Sequence, residues 1–448
     1  MKFLFAVLSV VFLVSAQAQV VSGPMLGQVE LRTAKIWLEV APTVRQVVLH
    51  YGQKGAAPKK ITYTGVLGKE FNPIQFSVGG LDVNTLYEYS FVIDGKPVSQ
   101  KGSFTTKALW QYRTPAPDFT FLAGSCAYFN EPQYDRPGKP YGQDSSIFET
   151  MAQEKAAFML WTGDNWYTRE VDISSAWGLW YRPHRDRSLA VLQPFLKAMP
   201  HYASWDDHDY GPDNSAASYI LKDESRNVFM NYWANPSYGQ DNEGIYTIIS
   251  YSDVDIFLCD DRWWRTADDL KDSIDGKPNP EKAMLGPKQM NWLKNALLTS
   301  KATFKIIVIG SQVLNPVSPF DKWSAFSYEY NDLMGFLKSY NLDGVLFLSG
   351  DRHHTEVIKV DRPGSYPLFD VTISPLTSGT YPFSGAEANN PFRQIGIAEK
   401  QNYGRVRVSG AKGNRELAVD FVGVHGALLG QWRVSEAALK TPKQEPFK

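Results

Sequence analysis

The sequence has little of several features that would assign it to a class of protein at once. Its 46 Lys and Arg residues are balanced by 47 Asp and Glu residues, so no basic field exists to hold a polyanion, and general nucleic-acid binding is not expected. Two cysteines in 448 residues are too few for a disulfide scaffold. The absence of a G-x-S-x-G elbow and of a G-x-x-x-x-G-K-[ST] loop argues against serine hydrolases and against nucleoside triphosphatases of that type.

Long hydrophobic runs are also missing, apart from one at the N-terminus. Lys2 precedes an apolar stretch at Phe3–Val14, and Ala16-Gln17-Ala18 follows as a small-x-small cleavage site. The stretch is shorter than the roughly 20 residues that a membrane-spanning helix needs. The sequence therefore predicts a signal peptide at residues 1–18 and a periplasmic or extracellular protein without a transmembrane segment.

The remaining chain shows two different hydrophobic patterns. From 19 to 107, short segments of alternating polar and apolar residues are separated by turns, which is typical of an antiparallel β-sandwich. Within it, Leu81–Tyr89 resembles the tyrosine corner of fibronectin type III domains. After a proline-containing linker at 108–117, continuous apolar strands alternate with helical patterns, which predicts an α/β domain at 118–435. A polar tail is expected at 436–448.

In the predicted α/β domain, clusters of polar residues stand directly after apolar strands. Ligands bind beyond the carboxyl ends of strands in open α/β sheets, so these clusters are expected to meet in one crevice. The clusters are Gly124-Ser125-Cys126, Thr162–Tyr167, Asp206–Asp209, Asp260–Arg262 and Ser349–His354.

Three of these clusters carry residue types that bind metal ions. The run Asp206–Asp209 contains three carboxylates, which repel one another unless a cation lies between them. Asp351 and His353 are two residues apart, so an extended turn can present both on one side. Asp164 and Tyr167 add a carboxylate and a phenol. A Tyr ligand suits a hard ion such as ferric iron, whereas oxygen ligands otherwise suit magnesium, calcium or manganese.

Each cluster also has a structural interpretation. A Gly-Asp turn after a strand is often only structural, and an acidic run such as Asp206–Asp209 is often a solvated loop. Cys126 and Cys259 either form one disulfide in an oxidising compartment or remain free, and the apolar strand around Cys259 favours a buried thiol. Several such clusters at successive strand ends nevertheless favour a functional site.

The order of these motifs resembles the alkaline phosphatase D family, a branch of the calcineurin-like metallophosphoesterases related to the purple acid phosphatases. The resemblance extends from residue 119 to residue 380 and implies an αββα sandwich with two metal ions, commonly Fe³⁺ and Ca²⁺. Mn²⁺, Mg²⁺ and Zn²⁺ are the alternatives. The small all-β sandwich corresponds to the domain that often precedes this fold. The motifs are GSC, GDxxY, WDDHD, DDR and SGDRHH.

The resemblance also implies a role for individual residues. The implied metal ligands are Cys126, Tyr167 and His353 for iron, Asp164 for both metals, and Asp207 and Asp351 for the second metal. A further His that related enzymes carry has no counterpart here. The candidates for its place are Ser311, Gln312 and Asn315.

The mechanism that follows is attack on phosphorus by hydroxide that the metal ions activate. His208 is expected to protonate the leaving alkoxide. Arg262 is expected to pair with a phosphate oxygen, with an ion pair to Asp260 or Asp261 as its alternative, and His354 is expected to face away. The predicted protein is a monomeric, secreted phosphatase or phosphodiesterase of small phosphate esters, with phospholipids and teichoic-acid-like diesters among the conceivable substrates.

A non-catalytic protein is the alternative function. An extracellular adhesion or glycan-binding protein would use the sandwich and exposed aromatic residues, and its acidic loops would hold structural calcium. Such a protein would bind calcium, would not hydrolyse aryl phosphates and would tolerate substitution of His208.

Overall fold

The computed structural model describes residues 19–442, so the predicted signal peptide at 1–18 lies outside the described residues. The chain begins with seven strands in two antiparallel sheets, ordered β1-β2-β5 and β4-β3-β6-β7. This confirms the predicted all-β region. The Asp82 N–H donates to Tyr87 Oη at 2.9 Å, as in a tyrosine corner. The strands are β1 (Val20–Val29), β2 (Thr33–Val40), β3 (Val47–Gln53), β4 (Lys59–Thr62), β5 (Pro73–Gly79), β6 (Leu86–Ile93) and β7 (Lys96–Thr105).

The remainder is an α/β region in which helices and strands alternate. Its strands are β8 (Phe119–Gly124), β9 (Met159–Thr162), β10 (His201–Ser204), β11 (Thr247–Tyr251), β12 (Val254–Leu258), β13 (Ser273–Ile274), β14 (Lys277–Pro278), β15 (Phe304–Val308), β16 (Val345–Ser349), β17 (Thr355–Val360), β18 (Leu368–Thr372), β19 (Arg393–Ile397), β20 (Asn402–Ser409), β21 (Glu416–Gly423) and β22 (Leu428–Ser435). Its α-helices are α1 (Ile147–Ala152), α2 (Ala176–Arg187), α3 (Gln193–Ala198), α4 (Asp207–Tyr210), α5 (Lys222–Tyr232), α6 (Gly286–Thr299) and α7 (Ser327–Ser339).

Two mixed sheets form the centre of the α/β region. The first has the order β10-β9-β8-β20-β21-β22, and the second has the order β11-β12-β15-β16-β18-β17-β19. Strands β8, β9 and β10 run parallel to one another, as do β12, β15, β16 and β18. The carboxyl ends of the parallel strands in each sheet therefore lie at one edge, where the polar clusters follow in the sequence.

The sheets are stacked, with helices on their outer faces. In β8, Phe121 belongs to a core that also contains Ile256 of β12 in the second sheet. Its neighbour Leu122 points to the opposite face and packs with Phe148 of α1 and Phe195 of α3. Helices α6 and α7 pack their apolar residues into the core of the second sheet. This is the predicted αββα arrangement.

The all-β sandwich packs closely against the α/β region. Trp37 of β2 is fully buried in a core of the α/β region, and its Nε1 donates to the Asn231 carbonyl at 2.8 Å. The buried Glu39 carboxylate accepts from Tyr232 Oη at 2.9 Å and lies 2.7 Å from His184 Nδ1. A buried interface therefore joins the two regions in addition to the linker.

The predicted polar tail begins with ordered residues. Glu436–Leu439 forms a 3₁₀ helix, Leu439 is buried in the core, and its carbonyl accepts from the Gly344 N–H at 2.8 Å. The buried Leu439 side chain and these backbone contacts attach the start of this segment to the domain. No helix within residues 19–442 has the length and apolar character needed to cross a membrane.

Candidate metal centre

The ends of four strands bring most of the predicted site residues together. The relevant segments follow β8, β9, β10 and β16. They border a cavity of about 770 Å³, a volume that accommodates a small organic ligand. The predicted site residues that line this cavity are Asp164, Asp207, His208, Asp351 and His353. Two others, Cys126 and Tyr167, are buried beside Asp164.

The backbone at this edge adopts an unusual conformation. Four of the six predicted ligands have left-handed dihedral angles, with φ of 61° at Cys126, 54° at Asp164, 63° at Asp351 and 54° at His353. Such angles are uncommon outside glycine, and they occur where the surrounding structure holds a functional geometry. Gly350 allows the loops to approach closely, because a Cβ there would lie 2.7 Å from the serine side chain that precedes Cys126.

One group of donors surrounds the inner oxygen of Asp164. Tyr167 Oη donates to Asp164 Oδ2 at 3.0 Å, and Cys126 Sγ lies 3.6 Å from the same oxygen. His353 Nε2 is 3.0 Å from Tyr167 Oη. A thiol, a phenol, an imidazole and a carboxylate therefore converge in one buried volume, which is a donor set of metal-ligand type.

A second group lies on the cavity side of Asp164. Donor atoms of Asp164, Asp207 and His208 lie within 4.8 Å of one another. Asp207 Oδ2 accepts from the Asn214 N–H at 2.7 Å. Burial raises the pKa of Asp207, but the charges of His208 and Arg262 outweigh it and hold this pKa below its usual range.

The electrostatics of both groups fit a bound cation. Burial and repulsion from Asp207 raise the pKa of Asp164 well above its usual value, and burial raises the pKa of Asp351 to about 7. Burial lowers the pKa of His353 to about 3, so its imidazole is neutral and keeps a lone pair for a metal ion. Burial also raises the pKa of the Cys126 thiol, which a coordinated metal would reverse.

The sequence reasoning missed the residues that orient these ligands. Tyr141 Oη lies 2.9 Å from His353 Nδ1, and the Tyr381 ring stacks on the His353 ring at 5.4 Å. Ser374 Oγ donates to Cys126 Sγ at 3.2 Å and accepts from the His353 N–H at 3.0 Å. A partner on the second ring nitrogen is a regular feature of metal-binding histidines. Nothing in the sequence singles out Tyr141.

His208 occupies a different environment from the buried ligands. Its side chain is 22% exposed and lines the cavity, and its ring lies against the Tyr167 ring at a tilt of 32°, with centroids 4.1 Å apart. Its Nε2 lies 3.7 Å from Asp213 Oδ1. An imidazole held next to the ligand cluster yet open to the cavity can exchange protons with a ligand.

Arg262 does not line the cavity. Its side chain is 1% exposed, Nε donates to Asp206 Oδ1 at 2.6 Å, and Nη2 lies 3.2 Å from Asp321 Oδ2. Nε and Nη2 also approach Asp261 and Asp207, at 3.8 and 4.0 Å. The predicted contact with a phosphate oxygen is corrected, because four carboxylates surround this guanidinium. Arg262 instead positions the acidic run after β10.

The residues considered for the missing His also lie outside the cavity. Ser311, Gln312 and Asn315 are fully buried, and the two amides donate to Glu356 at 2.7 and 2.9 Å. His354 reaches the cavity wall, in contrast to the prediction, but is 1% exposed and has its Nε2 3.5 Å from Glu356 Oε1. Cys126 and Cys259 are both buried free thiols, so the disulfide alternative is wrong.

Similarity to solved structures agrees with this architecture. The structure of PhoD matches with a TM-score of 0.73 at 19% identity, over 93% of this chain and 88% of that chain. The purple acid phosphatase PPD1 from yellow lupin seeds matches with a TM-score of 0.66 at 12% identity, over 92% and 74%. At these identities the matches establish the fold.

Sequence comparison identifies the family. Alkaline phosphatase D of Bacillus subtilis (strain 168) is 25% identical over 327 residues, which are 62% of this chain and 53% of that protein, so the chain spans about half the length of this curated relative. A domain of unknown function, DUF7800, matches residues 17–109. The PhoD-like phosphatase family matches residues 121–418, which include every strand from β9 to β20. The chain therefore belongs to the PhoD-like phosphatase family.

Proposed function

We propose that the protein is a metal-dependent phosphatase or phosphodiesterase that hydrolyses small organic phosphate esters. One observation carries this proposal. Asp164 lies between the donors Cys126, Tyr167 and His353 on one side and Asp207 with His208 on the other. A carboxylate shared by two donor groups can bridge two cations, and two cations stabilise both the attacking and the leaving oxygens of a displacement at phosphorus.

The proposed metal ions are ferric iron and calcium. Cys126, Tyr167, His353 and Asp164 would hold the iron, since phenol and carboxylate oxygens suit a hard trivalent ion. Asp164, Asp207 and Asp351 would hold calcium through oxygen alone. When bound, the metal ions supply an activated water and Lewis-acid stabilisation of the phosphoryl group.

The chain's own residues supply the remaining steps. His208 Nε2 would give a proton to the leaving alkoxide, since it faces the cavity beside the Asp164 carboxylate. Asp213 Oδ1 lies 3.7 Å from this nitrogen at the cavity wall. Tyr141 would hold His353 in the tautomer that leaves Nε2 free for the metal.

The proposed substrates are monoesters and diesters of phosphate, including phospholipid and teichoic-acid-like diesters. The cavity is several times larger than one phosphoryl group, so an organic group can enter with it. Membership of a phosphatase family does not favour the adhesion or glycan-binding alternative. We also propose secretion through the segment 1–18, which sequencing of the mature N-terminus would test by finding Gln19 first.

The decisive experiment combines elemental analysis with two chromogenic substrates. The purified protein should contain iron and calcium and hydrolyse p-nitrophenyl phosphate or bis-p-nitrophenyl phosphate, and chelation should abolish the activity. His208→Ala should lose activity by about 10²-fold or more while keeping its metals. His50→Ala, in the all-β sandwich, is the matched control and should remain active. A metal-loaded protein that hydrolyses neither ester would overturn the proposal.

The ferric assignment has its own test. Tyrosinate bound to ferric iron absorbs visible light, so the band should vanish in Tyr167→Phe. It should persist in Tyr128→Phe, whose ring lies 5.1 Å from Tyr167 but whose hydroxyl donates to Asp135. Zinc, magnesium or manganese without iron in the active protein would contradict the assignment.

A further inference from the structure

The cavity extends beyond the metal ligands into a region lined by basic side chains. Four cationic residues contribute to its wall, namely Arg265, Lys282, Lys322 and Arg352. Two of them, Arg265 and Lys282, are deeply buried and lie against the same aromatic ring. Arg265 Cζ lies 4.7 Å and Lys282 Nζ lies 5.0 Å from the centre of the Phe326 ring. Burying two cations together is costly unless an anion or another favourable partner is present.

Arg265 has hydrogen-bonding capacity that the protein leaves unused. Its side chain is 1% exposed, and its Nη2 pairs with Asp268 at 2.6 Å and with Asp321 at 2.8 Å. Its Nε and Nη1 are buried without a hydrogen-bond partner in the described part of the chain. Each of these N–H groups can donate a hydrogen bond to a phosphate oxygen.

Lys282 also has hydrogen-bonding capacity that the protein leaves unused. It is 6% exposed, and its ammonium donates to the backbone carbonyl of Asp268 at 2.8 Å. Within residues 19–442, no carboxylate lies within 4.0 Å of this ammonium. Since an ammonium carries three donors, the Lys282 charge and most of its hydrogen bonds remain available to a ligand in the cavity.

The position of this pair relates it to the acidic side of the metal centre. Asp321 connects the two regions, because it lies 2.8 Å from Arg265 and 3.2 Å from Arg262. Arg262 in turn lies 4.0 Å from Asp207. Three successive ion pairs therefore connect Arg265 to a predicted metal ligand, and both regions open into the same cavity.

We propose that Arg265 and Lys282 form a second anion-binding subsite. It would hold an additional phosphoryl group of the substrate while the scissile phosphoryl group lies at the metal centre. The preferred substrates would then carry two phosphoryl groups joined by a short organic spacer. Asp268 and Asp321 compensate part of the Arg265 charge, which leaves the Lys282 charge and the unused Arg265 donors for the second group. This inference rests on the proposed phosphatase activity.

The test uses a matched series of substrates with the full-length, metal-loaded protein. Alkanediol monophosphates and the corresponding bisphosphates, with spacers of different length, present the same primary phosphate ester with or without a second phosphoryl group. The wild-type protein should show a kcat/KM about 10-fold or more higher for the bisphosphate at the best spacer length, through a lower KM. Hydrolysis of neither series would show that the proposed function fails. Equal kcat/KM for both series would show that only the subsite fails.

Two substitutions locate the effect. Lys282→Met should reduce the preference for the bisphosphate about 10-fold by raising its KM, because the methionine retains the packing on Phe326 without the charge. Lys222→Met is the matched control, since Lys222 Nζ also lies over an aromatic ring, 4.6 Å from the centre of Trp263, but does not line the cavity. It should leave the preference unchanged.

Arg265→Lys keeps a charge while removing the unused guanidinium N–H donors, and it should lower the preference by a smaller factor. A thermal unfolding midpoint for each variant identifies any that fail to fold. If a folded Lys282→Met protein keeps the full preference for the bisphosphate, the subsite assignment is wrong.

Discussion

Two buried groups of charged residues lie close together in this protein and differ in how their charges are balanced. The first, the arginine cluster, consists of Arg169, Arg182 and Arg185 with Glu131, Asp135, Asp172 and Asp186. The second, the acidic centre, consists of Asp164, Asp207 and Asp351. In residues 19–442, no lysine or arginine lies within 4.0 Å of Asp164 or Asp351, whereas each carboxylate of the arginine cluster has an arginine partner.

The difference separates a structural role from a functional one. Buried carboxylates are tolerated when the protein itself supplies the counter-charge and the hydrogen bonds. The arginine cluster meets this condition and also supports the other region, because Arg169 Nη1 donates to the Tyr167 carbonyl. Asp164 and Asp351 of the acidic centre do not meet it, so these two carboxylates depend on cations from outside the chain.

The first prediction concerns Asp164, the carboxylate shared by the two donor groups, and its substitution should cause the largest loss of activity. Asp164→Asn should lose both metals and lower kcat/KM by at least about 10³-fold, because the amide cannot bridge two cations. Elemental analysis and steady-state kinetics measure the two losses. Asp186→Asn, a buried carboxylate paired with Arg185, is the control and should keep its metals. Retention of both metals by Asp164→Asn would contradict the comparison.

The second prediction concerns the stability that the arginine cluster provides. Arg182→Met should lower the free energy of unfolding by about 3–5 kcal/mol, because Glu131 and Asp172 would remain buried without their partner. Urea unfolding measures this loss, and the folded fraction should retain normal metal content. Arg136→Met removes an exposed ion pair and should cost less than about 1 kcal/mol. Equal stability of the two variants would refute the assigned structural role.

The third prediction concerns the pH dependence of the metal-free protein. The pKa of Asp351 is raised to about 7 by burial and by Asp321 and Asp207, although Arg352 opposes the change. A raised carboxyl pKa stabilises the fold below the ordinary value of 3.8, and this stability is lost as the pH rises through 7. A tenfold change in the proton affinity of one group corresponds to about 1.4 kcal/mol, so the loss between pH 4 and 8 should be on the order of a few kcal/mol.

Thermal unfolding at a series of pH values tests this dependence directly. The metal-loaded protein should show a smaller decline, since bound cations compensate the ionised carboxylates that hold them. Asp207 does not obscure the effect, because its lowered pKa acts only at pH below the usual range of a carboxyl group. Identical pH profiles with and without metal would show that the acidic centre is balanced by the protein alone.

The fourth prediction concerns Tyr141, the residue that orients His353. Tyr141→Phe should weaken binding of the metal at His353 by about 10–100-fold, because Nδ1 would lose its 2.9 Å partner. Titration with a competing chelator measures the affinity. Tyr381→Phe removes a hydroxyl that lies 3.4 Å from Tyr141 and keeps the ring stacked on His353, so it should have a smaller effect. An unchanged affinity in Tyr141→Phe would exclude the positioning role.

The smallest expected effect lies far from both charged regions. Tyr87→Phe removes the hydroxyl that accepts from the Asp82 N–H in the all-β sandwich. The loss of one hydrogen bond should lower the free energy of unfolding by about 1 kcal/mol. Metal content and kcat should not change. A loss of metal from this variant would show that the sandwich controls the acidic centre through its buried interface.

Much of the site could be predicted because its residues follow strands. Asp164, Asp207 and Asp351 stand directly after β9, β10 and β16, and the carboxyl ends of parallel strands meet at a sheet edge. The tyrosine corner at Tyr87 could be predicted for a similar reason, because its partner Asp82 is only five residues away. The spacing of residues along the chain is sufficient for such a prediction when the contact is short-range or lies at the end of a strand.

Other residues could not be predicted because their partners are distant in the sequence. Arg262 and Arg265 both approach Asp321, and each has a buried N–H group without a hydrogen-bond partner in the described residues. They differ in position, because Asp206 holds Arg262 behind the cavity wall whereas Arg265 lines the cavity. Tyr141 contacts His353 across 212 positions of the chain. No local pattern records such contacts.

The sequence is sufficient to predict which polar residues follow which strands, because strand positions can be read from hydrophobic periods and short motifs. Which of the buried charges has a counter-charge depends on contacts that form only in the folded protein. Residues 186 and 164 are both aspartates, and both side chains are buried. Arg185 lies 2.8 Å from Asp186, whereas Asp164 faces a thiol, a phenol and another carboxylate. Electrostatic energy depends on distances in space, and folding sets those distances.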